Sequence, residues 1–241
     1  MDDEITMWNA WESKLKEFEK WRTEKVKRCL NRYWLFLGRE FIKEVPVAEF
    51  DQEKLCLDIG CGPGAILCPI VKDRFYVGIG IDPIISSSLK ILKRRTQEEM
   101  LPVHITRGVG EYLPFKNSCV HIVLMSGVLD HTLDPCQVIG EIHRVLSKHG
   151  ILLIVSGIVL EKSKDFSDRT HLHHFTIRDL YDLLNKDKFS IKRIRLIYGM
   201  PPLPHPLWLV SGALMRYAPR LYNLLGRLFL NPQVAIITST S

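Results

Sequence analysis

From residue 54 onward, short apolar runs alternate with helical stretches, and this alternation constrains the fold more than anything else in the chain. The runs are 54–59, 75–81, 104–108, 120–126 and 151–156. Between them, helices are expected near 64–72, 85–99 and 134–147. A chain that alternates strand and helix in this way forms a parallel sheet covered on both faces. The run Ile151-Leu152-Leu153-Ile154-Val155 has no polar alternation, as expected for a strand buried on two sides. Ser190–Tyr198 and Val234–Thr238 read as a sixth and a seventh strand. The fold class expected is therefore α/β, a doubly wound, seven-stranded, mostly parallel sheet of Rossmann-like type.

The first apolar run leads into Asp58-Ile59-Gly60-Cys61-Gly62-Pro63-Gly64. A glycine-rich turn between a buried strand and a helix lets backbone N–H groups come close to a ligand. The spacing of Gly60, Gly62 and Ala65 also fits a loose dinucleotide fingerprint, so a nicotinamide-dependent oxidoreductase is an alternative. Asp58 argues against a pyrophosphate, which its carboxylate would repel, and for a cationic amino-acid moiety. Asp82 ends the second strand, 22 residues after Gly60, where an acid binds ribose hydroxyls.

These residues, with several later segments, resemble the class I S-adenosylmethionine-dependent methyltransferases, specifically the small-molecule type 11 group. Leu57–Gly64 is similar to that family's cofactor motif and Gly80-Ile81-Asp82-Pro83 to its ribose-binding segment. Glu111–Phe115, Leu129–Pro135 and Glu141–Leu146 resemble the segments flanking its fourth strand. The resemblance covers about residues 54–198. It implies S-adenosyl-L-methionine as cofactor, an antiparallel last strand, and cofactor contacts from Asp58, Gly60, Cys61, Gly62, Asp82, Pro83, Val109, Gly110 and Ser126. The chain departs from the family at Val109, where relatives usually carry an acid near the adenine amino group. A catalytically inactive cofactor-binding module is thus a further alternative.

Methyl transfer to oxygen gains from a general base that titrates near neutrality, and histidine is the side chain that does so. His131 follows the fourth strand, and His171 and His173 follow the fifth, so these three are the candidate bases. Asp130 is expected to point away from His131, and His143 and Arg144 read as surface residues of a helix. No acid or cysteine stands at a familiar ligand spacing from the histidines, so no metal is expected. Thr176 and Asp179 form a capping-box pattern before a helix at 177–185.

The chain has 241 residues and a net charge of +6. All of that charge lies in residues 191–241, which carry Lys192, Arg193, Arg195, Arg216, Arg220 and Arg227 and no acid. Without dense basic clusters interleaved with aromatics, nucleic acid is not an expected partner. The six cysteines form no C-x-x-C pair and read as reduced thiols of a cytoplasmic protein. Four regions are expected: an N-terminal helical cap (1–46), the core (47–200), a basic amphipathic insert or lid (201–232) and a last core strand (233–241). The insert suits a small-molecule, glycan or lipid-linked acceptor, or a peripheral membrane contact.

Overall fold

The computed structural model describes residues 43, 45, 46, 54–62, 64, 66–74, 76–83, 93, 94, 96–159, 171–187, 189–198 and 232–240. Expectations for the N-terminal cap, for most of the helix at 85–99 and for 201–231 lie outside the described residues. Seven strands form one sheet: β1 (Leu55–Ile59), β2 (Val77–Asp82), β3 (Val103–Arg107), β4 (Val120–Ser126), β5 (Leu146–Gly157), β6 (Ser190–Tyr198) and β7 (Pro232–Ser239). Their order across the sheet is β3-β2-β1-β4-β5-β7-β6. β1 to β5 pair in parallel, and β7 runs antiparallel to both β5 and β6.

Residue parity along the central strands decides which face each side chain covers. Leu57, Ile59, Val123, Met125, Leu152 and Ile154 pack into one core cluster with Val138, Ile139 and Ile142 of helix α2 (Pro135–Val145) and Leu180 and Leu184 of α3 (Ile177–Lys186). Their sequence neighbours Cys56, Ile122, Leu124, Leu153 and Val155 pack on the other face with Leu67, Ile70 and Val71 of α1 (Leu67–Arg74). Period-two alternation thus puts an apolar residue on each face at every step, which is why these strands read as unbroken apolar runs. Burial of each such side chain contributes about 1.5–3 kcal/mol.

Three local devices set the helix ends. Asp134 caps α2 by accepting from Gln137 N at 3.0 Å, with Pro135 at the first helical position. Thr176 and Asp179 make the reciprocal capping box at α3 that their spacing predicts. Phe175, just before the cap, packs against the cluster that contains Leu180, as a hydrophobic staple does. The expected helix at 134–147 ends earlier, at Val145. Leu146 turns to extended geometry and pairs with Val120, so the last two residues of that stretch open β5 instead.

Candidate active site

The carboxyl ends of β1, β2 and β4 lie side by side, because β1 pairs with β2 on one flank and β4 on the other. In open α/β sheets this is where ligands bind. The turn after β1 is held against β2 by Gly60 N and Cys61 N, which donate to Ile81 O at 2.7 and 3.1 Å, and by Gly62 N, which donates to Asp82 Oδ2 at 3.0 Å. Gly60 and Gly62 adopt φ of +69° and +45°, left-handed geometry that other residues reach only under strain. A Cβ on Gly60 would lie 2.3 Å from the Val128 side chain, so only glycine fits between β1 and the β4 loop. A Cβ on Gly62 would meet nothing within 4 Å, so that glycine faces open space.

Two buried carboxyls flank this turn. Asp58 is 4% exposed and Asp82 1%. Burial, and secondarily the charge of Asp82, push the Asp58 carboxyl well above the usual carboxylate range. A cationic group bound here would relieve both effects. Val109 and Gly110 are buried behind the end of β3, Pro83 is half-buried, and its carbonyl accepts from Arg107 Nε at 3.2 Å. Ser126, at the end of β4, has a buried hydroxyl with no hydrogen-bond partner. Open space beside Gly62, the strained acid pair and the orphaned Ser126 hydroxyl fit a ligand with a cationic amino-acid moiety and a hydroxylated ribose.

A second cluster sits just beyond β4. Residues 129–131 form a single 3-10 turn, which rotates successive side chains instead of sending them to opposite sides. Asp130 therefore does not point away from the site. Its Oδ2 lies 2.5 Å from His171 Nδ1, and the His131 and His171 ring centroids are 4.5 Å apart. The Asp130 carbonyl accepts from Leu172 N and His173 N at 2.8 and 3.1 Å, so the turn grips the 171–173 segment through backbone as well as side chain. Burial alone would raise the Asp130 carboxyl, but the His171 hydrogen bond and the charges of His131 and His171 outweigh it and hold the group below the usual range. Its Oδ1 is buried and has no partner, as is Nε2 of His173. The His173 ring stacks instead on Phe175, with centroids 5.9 Å apart.

Sequence reading missed Asp130, and the absence of an acid near the histidines does not survive folding. One ligand-type atom from each of Asp130, His131 and His171 lies within 4.8 Å of the others. Asp130 Oδ2 and His171 Nδ1, 2.5 Å apart, are hydrogen-bonded partners.

Arg144 is not a plain surface residue. Its guanidinium donates to Leu113 O, Phe115 O and Asn117 Oδ1 at 2.7–2.9 Å and pairs with Glu141, tying α2 to the segment before β4. The neighbouring Glu111 is fully buried, and its Oε1 accepts from Leu133 N at 2.8 Å, just past His131.

This fold is shared with S-adenosylmethionine-dependent methyltransferases of known structure. Residues 57–154 match the family model described as a methyltransferase domain. An uncharacterized 37.1 kDa protein in transposon TN4556 of Streptomyces fradiae is 36% identical over 101 residues, 41% of this chain and 28% of that protein. The mitochondrial arginine-hydroxylase NDUFAF5 of Danio rerio is 28% identical over 153 residues, 57% of this chain and 45% of that protein. The chain thus spans less than half the length of either curated relative. Among solved structures, the geranyl diphosphate C-methyltransferase of Streptomyces coelicolor A3(2), in complex with Mg2+, geranyl diphosphate and S-adenosyl-L-homocysteine, superposes with a TM-score of 0.65 at 15% identity, covering 84% of this chain and 79% of that one. Among the described residues, no helix is long and apolar enough to cross a membrane.

Proposed function

We propose that the chain methylates an oxygen of a small-molecule, glycan or lipid-linked acceptor, using S-adenosyl-L-methionine. The observation that carries this reading is adjacency. The Asp58–Gly64 turn and the Asp130–His131–His171 cluster flank the same pair of neighbouring strand ends, β1 and β4. In this reading Asp58, Gly60, Cys61 and Gly62 hold the amino-acid moiety, Asp82 and Pro83 the ribose, and Val109 and Gly110 the adenine, with Ser126 closing the site beside β4. Bound there, the cofactor supplies an electrophilic methyl group on a sulfonium. One of His131, His171 and His173 takes the proton of the acceptor hydroxyl.

The protein works in the cytoplasm in this reading. The basic segment 201–232 takes, from its sequence alone, a role at the acceptor or at an anionic membrane surface. Isothermal titration with S-adenosyl-L-methionine, S-adenosyl-L-homocysteine, NAD and NADP tests the cofactor. Micromolar binding of the first two alone is expected, and preference for a nicotinamide would sink the reading. Incubation with methyl-labelled cofactor and hydroxylated acceptors then separates an enzyme from an inactive module. A sequence relative at 28% identity is named as a hydroxylase. Product mass decides between the two, since methylation adds a methylene unit and hydroxylation an oxygen.

A further inference from the structure

We propose that Asp130 is a positioning residue that selects His171, among the three histidines, as the proton acceptor of the site. The inference rests on the methyl-transfer reading for its purpose, but its physical content is independent of it. Asp130 is 5% exposed and is fixed twice over: its backbone carbonyl accepts from Leu172 and His173, and its Oδ2 meets His171 Nδ1 at 2.5 Å. Of the three histidines, His171 makes the short Oδ2 contact; the His131 ring lies 4.5 Å centroid to centroid from that of His171, and His173 meets Asp130 through its backbone N–H.

An ionised carboxylate accepts and does not donate, so the bond to Asp130 places the ring proton of His171 on Nδ1. The lone pair of the neutral ring is then on Nε2, the atom that receives a proton. The acceptor O–H bond breaks, and its proton goes to Nε2. The oxygen electron pair forms the new bond to the methyl carbon, while the methyl–sulfur bonding pair returns to sulfur. The sulfonium charge is cancelled and one proton is gained by the imidazole, which Asp130 stabilises as imidazolium. The charged and titratable groups facing His171 include Asp130 and His131 of the turn and His174 of its own segment, with ring centroids 6.3 Å away.

Side-chain 15N–1H NMR of the full chain tests this without an acceptor. In the wild type, neutral His171 is expected as the Nδ1–H tautomer, with a downfield proton on Nδ1. Asp130→Asn should lower the His171 midpoint by about one pH unit, because a nearby carboxylate favours the charged ring. Retained binding of S-adenosyl-L-homocysteine shows that the variant is folded. If the variant does not fold, the wild-type spectrum decides alone, and a neutral His171 protonated on Nε2 overturns the proposal. An unchanged midpoint in a folded Asp130→Asn protein overturns it too. So does one equivalent of a divalent metal in purified protein that is lost in Asp130→Asn, which would make the cluster a cation site. Failure of S-adenosyl-L-homocysteine to bind the wild type would sink the methyl-transfer reading and leave the Asp130–His171 relation standing.

Discussion

The backbone N–H of Gly62 donates to Oδ2 of Asp82 at 3.0 Å, although 20 residues separate the two. This bond ties the tip of the turn after β1 to the end of β2, so the acid expected to bind ribose also shapes the glycine loop. The bond and the open space beside Gly62 make Gly60 and Gly62 respond differently to substitution.

Gly60→Ala should be the more damaging change. It adds the strain of left-handed φ, roughly 1–2 kcal/mol, to a Cβ placed 2.3 Å from Val128, and such overpacking costs about another 1–3 kcal/mol. Gly62→Ala carries only the conformational strain, because its Cβ meets nothing. Chemical denaturation should therefore rank Gly60→Ala well below Gly62→Ala, while titration calorimetry shows both weakened in cofactor binding. Equal loss of stability would contradict the contact with Val128.

Asp58 should act in opposite directions on stability and binding. Its carboxyl is raised above the ordinary value of about 3.9, mainly by burial and then by Asp82. The folded state therefore holds this proton more tightly than the unfolded chain does. The stability associated with it is fully present below pH ~3.9 and is lost as pH rises toward the raised folded value. Asp58→Asn removes that loss. The cofactor-free variant should melt higher than the wild type at neutral pH, and the gap should shrink as the pH is lowered toward 4. Its affinity for S-adenosyl-L-methionine should fall at least tenfold, on the order of the 1.5–3 kcal/mol of a charge-assisted hydrogen bond. A neutral-pH melting temperature below the wild type's would remove the argument.

How much of this was legible in the sequence depends on the range of the interaction. β4 and β6 begin and end where the sequence places them, and the Thr176–Asp179 capping box is a pattern three positions apart, readable in one glance. Boundaries decided by a partner strand were not legible. Leu146 leaves the helix because Val120 pairs with it, 26 positions earlier in the chain. Asp130 was misjudged because strand-like alternation was assumed for a 3-10 turn. Its partner His171 is 41 residues away, and no local period carries such a contact. Arg144 was read as exposed because it lies on the outer side of α2, yet its acceptors are carbonyls of a loop some 30 residues earlier.

The Arg144 network yields a stability prediction. Removing the guanidinium takes the Arg144 donor from Phe115 O and Asn117 Oδ1, leaves Leu113 O with the Phe115 N–H, and leaves Glu141 without its cation. Exposed ion pairs contribute little, so the hydrogen bonds to carbonyls carry most of the effect. Arg144→Ala should cost about 2–3 kcal/mol in denaturant unfolding. Arg144→Lys should recover only part of it, since an ammonium cannot reproduce the planar fork. A loss under ~0.5 kcal/mol for the alanine variant would show that the network is not maintained in solution.

Val109 offers a gain-of-function test of where adenine sits. It is 4% exposed at the position where the resembling family carries an acid. Val109→Asp buries a carboxyl that has no partner in the cofactor-free protein, so that form should lose at least about 1–3 kcal/mol of stability, the cost of an unsatisfied polar group, and more while the carboxyl is charged. If the adenine amino group lies against this position, it supplies the missing donor, and S-adenosyl-L-methionine should bind several-fold to tenfold more tightly, as about 1 kcal/mol of net hydrogen bonding implies. The thermal shift on adding cofactor should then be larger for the variant than for the wild type, even though the variant starts from a lower melting temperature. Weaker binding with an unchanged fold would place the adenine away from Val109 and with it revise the assignment of Gly110.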